Sequence, residues 1–386
     1  MRRLLTVILI LILRTAGAEM TWHVVQFDRH NYVPVSDVAL FYRMEHTVVS
    51  GTSFHLTSAN RSIVGKAGST DVGINGVKYV TCFPLRARDG VIYLSAMDVT
   101  KVIEPIMRPG KIKGGAAIRT VVLDAGHGGH DSGAVGPFGR EKDYTLDVVL
   151  RARALLLRAG YQVKLTRAYD VFIPLDVRSA FANEFPNALF FSVHFNKSNT
   201  YGGTGIETYA LAPRGVPSMD EESLRYSDFT QNPGNACDPQ NIALAAAVHS
   251  CLVRNLGMVD RGIKRARFAV IKNIRIPGVL IEGGFVDSPY DSRMIAMPEY
   301  RQRIAQSILQ ATVAYSHAVG GDPEHSAVIN AIPPPSAGDI APLTPPPAPP
   351  APAIVVPGSI TVDAPEPGPF RIRLEGDAIR MDWNRP

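Results

Sequence analysis

The chain has 386 residues, long enough for a sizeable core and two domains. Hydrophobic residues make up 46% and charged residues 19%, the balance of an ordinary globular protein. The net charge of +5 is mild and favours an anionic partner such as a cell-wall polymer or a lipid surface, while the lack of any basic, aromatic-laced run excludes nucleic acid.

Residues 1–18 read as a secretory signal. Arg2 and Arg3 give the positive end, Leu4 to Leu13 an apolar run too short to span a bilayer, and Ala16-Gly17-Ala18 a small-x-small cleavage site. Arg14, between the apolar run and that site, allows retention as an uncleaved anchor, the one route to a membrane. No cysteine near Ala18 marks a lipoprotein. The expected location is periplasmic or secreted. Export permits a disulfide among Cys82, Cys237 and Cys251, with Cys237 and Cys251 the nearest pair; buried free thiols are the alternative.

Residues 19–110 read as a small α+β module. WHVVQF (22–27) and SFHLTS (53–58) are strand-like, and Asn75-Gly76 inside GINGVKYV is a hairpin turn. A weak repeat links YVPVSDVALFY (32–42) to YLSAMDVTKVI (93–103), each a strand running into a serine and then a helix. Ser36 and Ser95 are the expected N-caps. This pattern resembles the stalk-like N-terminal domain of copper amine oxidases, which implies a spacer or wall-contact role. No metal-ligand cluster lies in it.

Residues 111–117, around KIKGGA, form a linker. From 118 to 320 strands and helices alternate. VVLDAG is followed by a helix over 142–160 that Gly160 stops, then by YQVKLT and a short helix over 174–183. NALFFSVHFN (187–196) is a continuous apolar strand, as a sheet buried on both faces requires. GIETYAL (205–211), a helix over 241–257, PGVLIEGGF (277–285) and a helix over 299–319 complete the series. The fold class is α/β: a twisted, mostly parallel central sheet flanked by helices, preceded by the small domain and followed by a Pro-rich tail. Fifteen of the 30 prolines fall between Pro323 and Pro369, so residues 321–369 read as an extended linker. The role of residues 370–386 is not legible.

Ligands of open α/β sheets gather beyond the carboxyl ends of strands. His127 follows VVLDAG, His194 follows LFFSV and Glu282 follows GVLI, so three strands deliver two imidazoles and a carboxylate to one edge. Glu141 opens the long helix, where the helix dipole favours a negative charge. The glycines around His127 let the backbone turn sharply and something approach closely. Two imidazoles and a carboxylate with one open position are a catalytic zinc set, though spacing alone leaves an ordinary surface histidine or helix-start acid open at each position. Glu282, after four apolar residues, needs a partner or a metal.

DAGHGGHDSGAVG, REKDYTLD, LFFSVHFN and VLIEGGFVD, in that order and spacing, resemble the signatures of zinc-dependent N-acetylmuramoyl-L-alanine amidases, bacterial cell-wall hydrolases. The resemblance spans 118–320. It implies that His127, Glu141 and His194 bind Zn²⁺, that Glu282 is the catalytic acid/base, and that peptidoglycan is the substrate, cut between N-acetylmuramic acid and L-alanine. His130, Asn196 and Arg178 are candidate substrate contacts. His130 and Phe195 depart from the family pattern, and Phe195 is expected to narrow the pocket beside the metal. Residues 212–238 fall where the family places a regulatory helix, so Asp220, Glu221 and Glu222 either cover the site or face solvent, and a protein activator is a candidate partner. A zinc peptidase acting within the stem peptide and a catalytically silent wall-binding protein are the alternatives.

Overall fold

The apolar runs fold as strands of one sheet, and their alternation decides which helices cover each face. Val121, Leu123, Phe191, Val193 and Ile281 pack with the long helices Glu141–Arg158, Asp238–Leu256 and Pro298–Tyr315. Val122, Phe190 and Leu280 point the other way, to the short helices Leu175–Ala182 and Ala269–Lys272. The computed structural model describes residues 22–49, 52–113, 117–198, 203–219 and 224–320, with two further strands, Phe370–Glu375 and Ala378–Trp383. The expected signal at 1–18, the acids Asp220, Glu221 and Glu222, and the Pro-rich stretch 321–369 lie outside the described residues.

Across the catalytic part the strand order is Gln162–Leu165, Thr120–Ala125, Ala188–Asn196, Gly278–Phe285, Ile206–Leu211 and Asp260–Ala266. The pairs are parallel except where Ile206–Leu211 meets Gly278–Phe285. That reversal places the starts of Ile206–Leu211 and Asp260–Ala266 on the same rim as the carboxyl ends of the other strands. Asp260–Ala266 was not expected from the sequence. DRGIKRA lacks both an apolar run and a clean alternation.

Residues 22–113 form two antiparallel assemblies. Asn75 and Gly76, with φ of 52° and 78°, close the expected hairpin between Asp71–Ile74 and Val77–Val80. Ser95 caps its helix by accepting from the Asp98 N–H at 2.9 Å. Ser36 does not cap: the helix Val35–Tyr42 begins one residue earlier, behind Pro34, so Ser36 lies inside its first turn. The module extends the catalytic sheet rather than standing off it. Tyr79 pairs with Ile263, the Lys78 N–H donates to Asp260 Oδ2 at 2.9 Å, and Lys101 Nζ reaches Asp238 Oδ2 at 2.9 Å. Cys82, Cys237 and Cys251 are all free, and Cys82 and Cys251 are buried, so of the two readings left open by the sequence the structure has the free thiols. Among the described residues no helix is long and apolar enough to cross a membrane.

Candidate active site

After Ala125 the chain leaves the sheet in a loop that exposes three backbone carbonyls to the interior. Buried carbonyls need donors. Two buried arginines supply them. Arg178 donates to the carbonyls of Ala125 (2.7 Å) and His127 (2.8 Å), and Arg167 to those of Ala125 (2.9 Å) and Gly126 (2.8 Å). Burial, and the charge of Arg178 alongside, pull the Arg167 pKa down to about 10. Asp124, fully buried, accepts from Arg178 (2.8 Å), Thr166 (2.6 Å) and Ser192 (2.6 Å). Burial alone would raise the Asp124 pKa, but Arg178 and the two hydroxyls hold it below the usual carboxylate value.

This bracing holds His127 at φ 60°, a left-handed conformation that costs about 1–3 kcal/mol in a residue with a side chain. Glycine is required on both sides of the ring. A Cβ on Gly126 would lie 2.3 Å from His194 Cε1, and one on Gly133 would lie 2.6 Å from both His127 Cδ2 and Glu141 Oε2. The glycine-rich sequence is therefore the space that two imidazoles and a carboxylate occupy.

The three side chains meet at Glu141. His127 Nε2 and His194 Nδ1 each lie 3.0 Å from Glu141 Oε1. The backbone N–H groups of Ala134 and Phe195 donate to the Glu141 carboxylate, which sits at the first position of its helix. Burial opposes its charge, but the two imidazoles hold the carboxyl far below the ordinary range. Asp131 Oδ2 accepts from His127 Nδ1 at 2.9 Å. Burial resists protonation of His127, yet Glu141 and Asp131 together raise its pKa. One ligand atom from each of His127, Glu141 and His194 lies within 4.8 Å of the others, as a metal ion requires.

Glu282 stands beside this cluster in strand register, opposite His194 on one side and Glu207 on the other. Its Oε2 is buried and accepts no hydrogen bond. Burial first, then the charges of Glu141 and Glu207, push its pKa well up; Lys264 opposes them. Glu207 is buried and takes Arg261 Nε at 2.5 Å, Lys264 Nζ at 2.7 Å and the Tyr209 hydroxyl at 2.7 Å.

The remaining expected contacts divide. Asn196 lies on the same rim, its Nδ2 3.3 Å from Glu207 Oε2. His130 is exposed on the His127 loop, its ring 4.3 Å from that of Phe172. Arg178 is not a substrate contact: it is 1% exposed, and its nitrogens are consumed by Asp124 and the carbonyls of Ile173, Ala125 and His127. Phe195 does not narrow the site either. It follows His194 on a strand, so it faces the opposite side and packs with Gly283, Ile304 and Tyr144 in the core. Asp131, Glu207, Arg261 and Lys264 were missed. Glu207 had a signal, an acid inside the apolar strand IETYAL, of the kind that exposed Glu282.

A mostly parallel α/β sheet whose rim gathers two imidazoles and a glutamate beside a second, unpartnered glutamate is the framework of a metal-dependent enzyme site. The family model described as N-acetylmuramoyl-L-alanine amidase matches residues 121–313, half of the chain, and the chain belongs to that family. AmiA of Escherichia coli K12, an N-acetylmuramoyl-L-alanine amidase, is 29% identical over 238 residues, covering 56% of this chain and 82% of the relative. The amidase AmiC of Escherichia coli O6:H1 is 30% identical over 246 residues, covering 56% of this chain and 58% of its own. The solved amidase AmiC2 of Nostoc punctiforme is 30% identical, covering 52% of this chain and 98% of its own, with a TM-score of 0.43. The protein is thus a peptidoglycan hydrolase that cleaves the amide between N-acetylmuramic acid and L-alanine. The stem-peptide peptidase and the silent wall-binding protein are set aside.

Proposed function

We propose that this amidase works with a Zn²⁺ held by His127, Glu141 and His194, and that Glu282 moves the protons. The supporting observation is the convergence of two imidazole nitrogens on one carboxylate oxygen at 3.0 Å each. With bonds of about 2.0–2.1 Å, the donors of a tetrahedral zinc stand about 3.3 Å apart, so the cluster has the size and the N, N, O chemistry of a zinc site. Bound there, the ion supplies polarisation of the scissile carbonyl and acidification of water.

The rest is the work of the chain. Asp131 fixes the His127 ring by accepting from Nδ1, leaving Nε2 turned toward Glu141. Arg167 and Arg178 hold the loop that carries this ring. Glu282 takes the proton of the attacking water and returns it to the departing alanine nitrogen. A raised pKa suits a carboxylate that must accept a proton and release it again within one turnover. Asn196, on the same rim, contacts the substrate, and His130 borders the site from the loop. The substrate lies in the wall, so the enzyme acts in the periplasm or outside the cell, delivered by the leader at 1–18.

The test is digestion of purified peptidoglycan with and without a chelator, with products identified by mass. Free peptides beginning with L-alanine, uncut sugar chains and abolition by chelator are expected. Full activity in protein stripped of metal refutes the zinc reading.

A further inference from the structure

The cluster beyond Glu282 is built for more than neutralising one acid. Glu207 is 1% exposed, and its Oε1 is shared by two cations, Arg261 and Lys264. Tyr209 and Asn196 occupy its Oε2. The charge of Lys264 also acts on Glu282 and that of Arg261 on Asp291, so the two cations serve the whole rim and not Glu207 alone. Arg261 commits its Nε–H to Glu207; its Nη groups make no hydrogen bond to a carboxylate among the described residues, although the charge of Asp291 lies within range. Its guanidinium carbon lies 5.0 Å from the centre of the Phe285 ring, within cation–π range. The Arg261 side chain is 37% exposed and that of Lys264 is 16% exposed, so both reach the surface while the acid that anchors them does not. A planar guanidinium held at its Nε is suited to grip a carboxylate through paired hydrogen bonds from its Nη edge.

Strand register gives the distance from the chemistry. His194, Glu282 and Glu207 lie across three neighbouring strands, and Arg261 extends from Glu207 along the same rim. Arg261 stands on the strand beyond Glu207, so at about 4.8 Å per strand its backbone lies about 14 Å from that of His194 and about 10 Å from that of Glu282. An extended peptide advances about 3.3–3.6 Å per residue, so the distance from Glu282 is the reach of about three residues.

We infer that Arg261 and Lys264, anchored by the buried Glu207, form a subsite for a free carboxylate on the second or third residue of the leaving stem peptide. This rests on the reaction taking place at Glu282. The Arg261 edge holds the acid, Lys264 adds charge behind it, and the peptide is drawn taut along the rim so that its first amide lies over Glu282.

The experiment uses muramoyl tripeptides that carry, at the second or at the third residue, either a free carboxylate or a carboxamide. Wild-type enzyme is expected to favour the carboxylate at one of these positions by about tenfold or more in kcat/KM, mainly through KM. Arg261→Gln brings that ratio near one, and Arg261→Lys keeps a large part of it. The ratio is taken within one protein preparation, so a poorly folded variant lowers both rates and leaves it intact. Equal rates for carboxylate and carboxamide in the wild type, or an undiminished ratio in Arg261→Gln, overturns the subsite while leaving the amidase assignment standing. Full turnover by a Glu282→Gln enzyme instead removes the reading beneath it.

Discussion

Glu282 and Asp131 act on the same site from opposite sides, and their substitutions separate proton transfer from metal holding. Glu282 accepts no hydrogen bond at Oε2, so Glu282→Gln breaks no bond at that atom and removes a charge whose burial is costly. The variant is expected to fold and to keep its metal content while losing about 10²–10⁴-fold in kcat. Metal analysis beside peptidoglycan hydrolysis checks both halves, and retained turnover refutes the role. Asp131→Ala does the reverse. It frees the His127 ring to rotate and is expected to weaken zinc by about 10–100-fold, with activity restored by excess metal. Titration with a competing chelator measures the shift, and unchanged affinity shows that the loop backbone alone orients the ring.

At the scale of elements, Asp124 ties the Thr120–Ala125 strand to the strand Ala188–Asn196 through Ser192, to the end of Gln162–Leu165 through Thr166, and to the helix Leu175–Ala182 through Arg178. Its pKa is lowered in the fold, so as the pH falls the unfolded chain takes up the proton first. The stabilisation is therefore complete above the unfolded value near 3.8 and is lost as the pH drops through the lower folded value. Asp124→Ala leaves Arg178 buried without its charge partner, at a cost of about 3–5 kcal/mol near neutrality. Urea midpoints from pH 7 to about pH 2 are expected to show a steady gap down to about 3.8 that narrows below it; a gap that does not narrow below the unfolded value contradicts the ion pair. These elements also show what a sequence can and cannot disclose. The apolar run of Ala188–Asn196 announced a strand buried on both faces, and the acid Glu282 after such a run marked a polar position that needs a partner. The His–Glu–His cluster was legible because strand ends fix which edge a residue reaches. Side-chain direction was not: Arg178 and Phe195 sit at the right addresses but point away from the substrate. Asp260–Ala266 stayed hidden because its charged residues, the buried Arg265 among them, break the apolar pattern of a strand, and because its outer neighbour, Val77–Val80, comes from far earlier in the chain.

That pairing makes residues 22–113 part of the catalytic unit. Without them Asp260–Ala266 becomes an open edge, Ile263 loses its partner Tyr79, and Asp260 and Asp238 lose Lys78 and Lys101. Arg265, 3% exposed, loses the nearby negative charge of Asp98. Unsealed edges of this kind pair with other copies. The local consequence reaches chemistry, because Arg261 and Lys264 stand on this same strand and hold Glu207 beside Glu282. A chain beginning at residue 117 is therefore expected to lose the burial of at least one large side chain on the exposed face, about 1.5–3 kcal/mol. For a unit of about 200 residues that lowers the melting temperature by about 3–12 °C. Its kcat/KM falls together with the melting temperature, and the loss is recovered when residues 22–113 are supplied in cis and not when they are added as a separate chain at low concentration. Calorimetry and light scattering on the two lengths decide it: identical melting temperatures and a monomeric short form show that the catalytic sheet closes its own edge.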